Sequence, residues 1–303
     1  MGSFAKAGGW RGPAAPGDFV VAGGVRVHYV RGGAGPPVVY VHGAKGSVYD
    51  FTLSVGERLA ERYTALAMDR PGSGFSARPA NGGNTPQAQA AVLRAAASEL
   101  GLRRPILIGH SLGAAVALAW ALAAPDEVAA VVTLCGYVLP LGGGPPWVTT
   151  LLRHPATLRG VGLLGRSRLG RPLVRSAVER AFSPGTPPDE YVRIAPQLAL
   201  QASALISDGE DRKAVESGLA ALRPLYPGLR APLVILVGAQ DRIVPPAVSD
   251  RLHALVPGSE LVRVAGAGHM PQFTAPDAVV AAVDRAAELA GAAPTFASPD
   301  DHG

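Results

Sequence analysis

The sequence is poor in the groups on which extracellular and metal-dependent proteins rely. Its one cysteine, Cys135, allows no intramolecular disulfide framework, and no spacing of ligand residues suggests a zinc site. No stretch approaches the length of about twenty apolar residues that a membrane span needs. Residues 1–17 lack the run of about seven or more apolar residues of a secretory signal and read as a flexible lead-in. A cytoplasmic location is expected, with secretion left open if an upstream signal has been removed. Charge is also sparse. Only 17% of residues are charged against 48% hydrophobic, which excludes general disorder and points to a globular protein with a large core. For 303 residues, one α/β domain carrying an insertion fits better than two small domains.

The most informative stretch is 106–118. Ile106, Leu107 and Ile108 suit a buried strand, and the alanine-rich run at 114–124 suits a helix packed against it. Between them lies Gly109-His110-Ser111-Leu112-Gly113. Glycines flank a serine in this way when a sharp strand-to-helix turn leaves no room for a Cβ, which lifts the Ser111 hydroxyl into solvent. A serine hydroxyl is a poor nucleophile alone, so the turn has meaning only with a base and a group to orient that base. An apolar strand at 234–237 runs into Gly238-Ala239-Gln240-Asp241, making Asp241 the candidate orienter. A short strand at 261–264 runs into the glycine-rich loop that delivers His269, the candidate base.

The order serine, aspartate, histidine resembles that of the α/β-hydrolase superfamily. The likeness covers roughly residues 19–290. It rests on four motifs in order: His42-Gly43 after a strand, Asp69-Arg70-Pro71-Gly72-Ser73-Gly74-Phe75-Ser76, the serine turn, and the Asp241 and His269 loops. It implies a mostly parallel central sheet flanked by helices, with an inserted helical cap, and a serine esterase-like chemistry without a cofactor or metal. It further implies that the backbone N–H groups of Ala44 and Leu112 form the oxyanion hole. By the same resemblance His42, Asp69 and Arg70 hold loops in place and do not react. Lys45 departs from the small or apolar residue common at its position; it either points to solvent or meets an anionic substrate group at the pocket mouth.

The expected division is a lead-in at 1–17, a core at 18–139 and 231–290, a cap at 140–230 and a loose tail at 291–303. In the core, Phe19 to Val21 and Val25 to Val30 alternate around Gly23-Gly24 as a hairpin would, with His28 solvated or strand-facing. A helix is expected at 50–62, a strand at 64–68, a helix at 86–100, a strand at 128–134 and a last helix at 276–289. Cys135 and Tyr137 close a strand near the site, and Cys135 reads as an inert buried thiol.

From about 140 to 230 leucine-rich, proline-punctuated helical segments take over, expected at 147–152, 160–169, 171–182, 189–207 and 211–222, with Pro196 kinking or splitting the fourth. The formal charge of +5 resides there: residues 140–230 hold twelve basic and seven acidic side chains, and elsewhere sixteen and sixteen cancel. Such a basic face is a solvated surface or meets an anionic surface or acidic substrate. Nucleic-acid binding is not expected, because no recognition motif or interleaving of aromatic and basic residues accompanies it. Trp147, with Tyr137 and Met270, is a candidate substrate contact.

These readings converge on a serine hydrolase that cleaves carboxylic esters of a small to medium, largely apolar substrate through an acyl-enzyme on Ser111. Carbon–carbon bond hydrolases, lactonases and thioesterases use the same triad and stand as alternatives, as does a ligand-sensing protein on the same fold. A dinucleotide-binding turn is disfavoured, since Ser111 stands where its middle glycine must be. Oligomeric state is not legible.

Overall fold

Gly23 and Gly24 hold φ of 55° and 77°, as the two-residue type I′ turn of a tight hairpin requires. They join β1 (Asp18–Ala22) to β2 (Val25–Gly32) with Ala22 opposite Val25. The computed structural model describes residues 15–80, 82–142 and 155–292. After the hairpin come β3 (Pro37–Val41), β4 (Thr64–Met68), β5 (Ile106–His110), β6 (Ala130–Leu134), β7 (Leu233–Gly238) and β8 (Glu260–Val264). They form one eight-stranded sheet in the order β1-β2-β4-β3-β5-β6-β7-β8. The β1–β2 and β2–β4 pairs are antiparallel and all others parallel.

The helices are α1 (Tyr49–Thr52), α2 (Gly56–Ala60), α3 (Pro86–Glu99), α4 (Leu112–Ala123), α5 (Pro155–Arg166), α6 (Arg171–Phe182), α7 (Asp189–Ala199), α8 (Ala202–Leu222), α9 (Ala247–Leu255), α10 (Pro271–Thr274) and α11 (Pro276–Leu289). Helix α3 starts where the sequence says it should: Thr85 caps it by accepting from the Ala88 N–H at 3.2 Å, and Pro86 occupies the first turn. The strands β4, β5, β6 and β7 are buried along their whole length because helices cover both faces. Alternate residues divide accordingly. Val39, Val41, Leu107 and Val131 pack with Leu93 and Trp120 of α3 and α4, whereas Val38, Tyr40, Ile108 and Val132 pack with Val279 and Val283 of α11. Each such side chain, removed from water, contributes about 1.5–3 kcal/mol.

Parallel pairing aligns the carboxyl ends of β3, β5, β6, β7 and β8 along one edge of the sheet, where an open α/β sheet places its ligands. Helices α5 to α8 lie between β6 and β7, so the insertion springs from that same edge. Among the described residues, no helix is long and apolar enough to cross a membrane.

Several expected elements differ. The single helix expected at 50–62 is the two short helices α1 and α2. In the insertion, the helix expected at 160–169 is Pro155–Arg166, and the one at 147–152 lies outside the described residues. The segments expected at 189–207 and 211–222 divide elsewhere: α7 ends at Ala199 and α8 runs unbroken through Ala202–Leu222. Pro196 sits in the last turn of α7, where its carbonyl still accepts from the Leu200 N–H at 3.0 Å. The segment expected at 189–207 is thus split as its proline suggested, with the break falling after Ala199. His28 is not solvated: it is fully buried, its ring 5.1 Å from that of Phe19 on the paired strand β1, with Nδ1 donating to Asp69 Oδ2 at 2.7 Å.

Candidate active site

Strand β5 delivers Ser111 at the tip of a strained turn. Its φ of 50° and ψ of −118° lie outside the regions ordinary side chains occupy, and packing holds them there. A Cβ on Gly109 would meet Ala114 Cα at 2.4 Å, and one on Gly113 would meet the Val41 carbonyl oxygen at 2.1 Å. Both glycines are therefore obligatory. The Ser111 N–H donates to the Leu134 carbonyl at 2.9 Å and its own carbonyl accepts from the Tyr137 N–H at 2.9 Å, binding the turn to the end of β6.

The loops after β7 and β8 meet each other, the Gln240 N–H donating to the Ala267 carbonyl at 3.0 Å. His269 Nδ1 lies 2.7 Å from Asp241 Oδ2. An ionised carboxylate can only accept, so the ring carries a proton on Nδ1, and in the neutral tautomer this selects, Nε2 bears the lone pair. Asp241 Oδ1 also accepts from the N–H groups of Ile243 at 2.7 Å and Val244 at 3.0 Å. Burial alone would raise the Asp241 carboxyl, but the hydrogen bond and charge of His269 with those two amides hold it below the usual carboxylate range. The neighbour of the serine ties its turn to the loop after β8: His110 Nε2 donates to the His269 carbonyl at 2.8 Å, with the two rings 4.9 Å apart. Burial first, and the adjacent His269 second, push His110 down to about 3, so it stays neutral.

The loop after β3 supplies the third wall. Gly43 packs so closely that a Cβ there would stand 2.9 Å from Ser111 Cβ. Its carbonyl accepts from Arg70 Nη2 at 3.0 Å and from His42 Nδ1 at 2.8 Å. The Arg70 N–H donates to His42 Nε2 at 2.9 Å, which fixes the tautomer; burial and the Arg70 charge lower His42 to about 3. In a trans peptide the C=O and the following N–H point in opposite directions. Anchoring the Gly43 carbonyl on Arg70 and His42 therefore turns the Ala44 N–H away from them. Leu112 begins α4, where a main-chain N–H has no acceptor within the helix.

Of the other sequence candidates, Lys45 is exposed at φ 59°. Tyr137 is half-buried, and its hydroxyl donates to Glu216 of α8. Met270 is buried with Phe182, Tyr191 and Ala195 in the seam between insertion and core. Trp147 lies outside the described residues. Cys135 is a buried thiol at φ 47°: its Sγ accepts from the Gly238 N–H at 3.3 Å and donates to the Gly268 carbonyl at 3.4 Å. Cys135, Asp241 and His269 present ligand-type atoms within 4.8 Å of one another. The aspartate and histidine are hydrogen-bonded to each other, however, and burial raises the thiol well above its ordinary value. That donor set favours a positioned histidine over a metal cage.

Sequence reasoning missed Asp211 of α8. It reaches Arg70 Nη1 at 3.0 Å and Arg78 at 2.8 Å, so the insertion grips the arginine that holds Gly43. Nothing local singled it out, since α8 also carries Asp208, Glu210, Arg212, Lys213 and Glu216.

Residues 36–276 match the alpha/beta hydrolase fold family. The chain belongs to that family. Among curated relatives of this hydrolase, a putative carbamate hydrolase RutD of Klebsiella pneumoniae is 27% identical over 253 residues, covering 80% of this chain and 88% of the relative. Among solved structures, a thermophilic esterase from Thermogutta terrifontis is 23% identical with a TM-score of 0.68, covering 91% of this chain and 99% of that one. A meta-cleavage product hydrolase from Pseudomonas fluorescens is 21% identical with a TM-score of 0.72, covering 89% and 98%. These two structures share the hydrolase fold.

Proposed function

We propose that the protein is a serine hydrolase acting on carboxylic esters through an acyl-enzyme on Ser111. The observation that carries this reading is the Asp241–His269 hydrogen bond of 2.7 Å beside a serine held on a strained turn at the same sheet edge. His269 Nε2 takes the Ser111 proton as Oγ attacks the acyl carbon, and Asp241 keeps the ring in the required tautomer and stabilises the imidazolium. The oxyanion falls to the N–H groups of Ala44 and Leu112, each worth about 3 kcal/mol in the transition state. The imidazolium returns its proton to the departing alcohol. Water, deprotonated by His269, then attacks the acyl carbon; as the intermediate collapses the imidazolium returns that proton to Ser111 Oγ and the carboxylic acid leaves.

Leu112, Tyr137, Val215 and Leu219 group against the serine turn and support an acyl or alcohol part that is largely apolar and small to medium in size. Lys45 is proposed as a solvent-facing residue of the oxyanion loop.

The test is hydrolysis of a p-nitrophenyl ester series, acetyl to long acyl, by wild type and Ser111→Ala. Turnover by the wild type with a loss of about 10⁶ in kcat for the variant is expected. Equal rates for both proteins would sink the serine mechanism. A wild type inert to every ester, but active on a carbon–carbon, lactone or thioester substrate, would keep the triad and replace the substrate class.

A further inference from the structure

Exposed large apolar side chains are normally scattered singly. Among the described residues here, five of eleven lie within the thirteen residues from Val161 to Leu173. Leu163, Leu164, Leu169 and Leu173 are 73%, 54%, 83% and 70% exposed. They sit on the corner where α5 turns into α6, and that corner is tightly built. A Cβ on Gly170 would meet the Leu164 carbonyl oxygen at 2.0 Å, the Ser167 Oγ donates to the same carbonyl at 2.6 Å, and the Arg171 N–H donates to the Ser167 carbonyl at 3.1 Å. The leucines are thus held out by a compact turn. They do not dangle from a loose loop.

The charge of the same corner is one-sided. Residues 155–188 contain six arginines and a single acid, Glu179. Arg168, Arg171 and Arg180 are exposed, and among the described residues none of them has a carboxylate partner; Glu179 is taken by Arg175 at 2.8 Å. An open groove of about 820 Å³ adjoins the corner between α6 and α7, with walls that include Val174, Pro196 and Leu200 and an edge of Arg171, Arg175 and Arg193.

We infer that this corner docks on an anionic phospholipid surface, the leucines entering the headgroup–acyl boundary and the arginines meeting lipid phosphates. Leucines with unpaired cations beside them fit a bilayer interface, which demands no shape complementarity and rewards both terms together. A second copy of the chain fits poorly, because a two-fold contact would set arginines against arginines. The helices at the corner are twelve residues each, too short to span.

The experiment is co-sedimentation of the full chain with vesicles of phosphatidylglycerol and phosphatidylcholine, and with phosphatidylcholine alone. Binding to the anionic vesicles at low salt is expected, with little on the neutral ones and a fall as salt rises. Leu169→Ser/Leu173→Ser and, separately, Arg168→Gln/Arg171→Gln should each weaken it at least about tenfold. Melting temperature and hydrolysis of a short soluble ester without vesicles should match the wild type. The readout is binding, so it stands or falls independently of the ester chemistry. A folded wild type that stays in the supernatant at low salt overturns the inference, as does a Leu169→Ser/Leu173→Ser variant that binds unchanged. Self-association removed by the leucine substitutions, without vesicle binding, would assign the face to a second copy. Retention on polyglutamate but not on vesicles would assign it to an acidic protein.

Discussion

Asp241 spends its two oxygens on different tasks: Oδ2 holds His269, and Oδ1 holds the loop through Ile243 and Val244. Asp241→Asn keeps the oxygens' places but puts an NH₂ opposite one of these donors, favouring the wrong imidazole tautomer. A loss of about 10⁴ in kcat with little change in KM is expected from steady-state kinetics; a loss confined to KM would remove Asp241 from the proton path. At this scale much was legible. Gly109, Ser111 and Gly113 announce a turn by their types alone, because only steric exclusion makes glycine necessary at two fixed offsets. His110 was not legible: its bond to the His269 carbonyl crosses 159 positions, and no local pattern encodes it. The burial of His28 was not legible for a related reason. Alternation along β2 places its side chain on a face, but what covers that face is Asp69 from another strand's loop.

At the scale of elements, the strands were legible almost to the residue, since their buried faces demand continuous apolar runs. The insertion was less so. Pro196 signalled that the expected 189–207 segment divides, but not that α8 then runs unbroken from Ala202 to Leu222. The insertion is seated on the core by polar contacts that helical periodicity does not reveal: Tyr137 to Glu216, Tyr191 to Asp50 at 3.0 Å, and Arg70 to Asp211 at 3.0 Å. The last is the most consequential, because the Arg70 guanidinium is 1% exposed and also holds the Gly43 carbonyl. Asp211→Asn leaves a buried cation with neutral acceptors only. A loss of about 3 kcal/mol of stability is expected, seen as a Tm lower by roughly 5–10 °C. A fall in kcat larger than any rise in KM should accompany it, if the guanidinium shifts and the Ala44 N–H moves with the Gly43 carbonyl. An unchanged Tm would show that Gln89 and the loop carbonyls suffice.

For the molecule as a whole, Asp50 makes stability depend on pH. Burial raises its carboxyl to about 7, although the Tyr191 hydroxyl bond works in the opposite direction. In the unfolded chain the group titrates near its ordinary value of about 3.9. Between these values the folded protein holds a proton that the unfolded chain has released, so this group's contribution to stability falls as pH rises from about 4 to about 7 and stays low above that. Asp50→Asn keeps an acceptor for Tyr191 and removes the charge. Its Tm should exceed the wild type's by several degrees at about pH 8 and by less at about pH 5, measured by calorimetry. The reverse ordering would show that the ionised form is stabilised.

The grip of Asp211 on Arg70 also limits how this hydrolase could be rebuilt. Exchanging residues 155–228 for the insertion of another family member would bring new pocket walls, but unless the donor places a carboxylate at the same point, it would strand a guanidinium inside the junction. A viable chimaera must therefore transplant the acid together with the walls, or replace Arg70 and re-anchor the Gly43 carbonyl by other means. The insertion and the loop after β3 are, in that sense, a single transferable part.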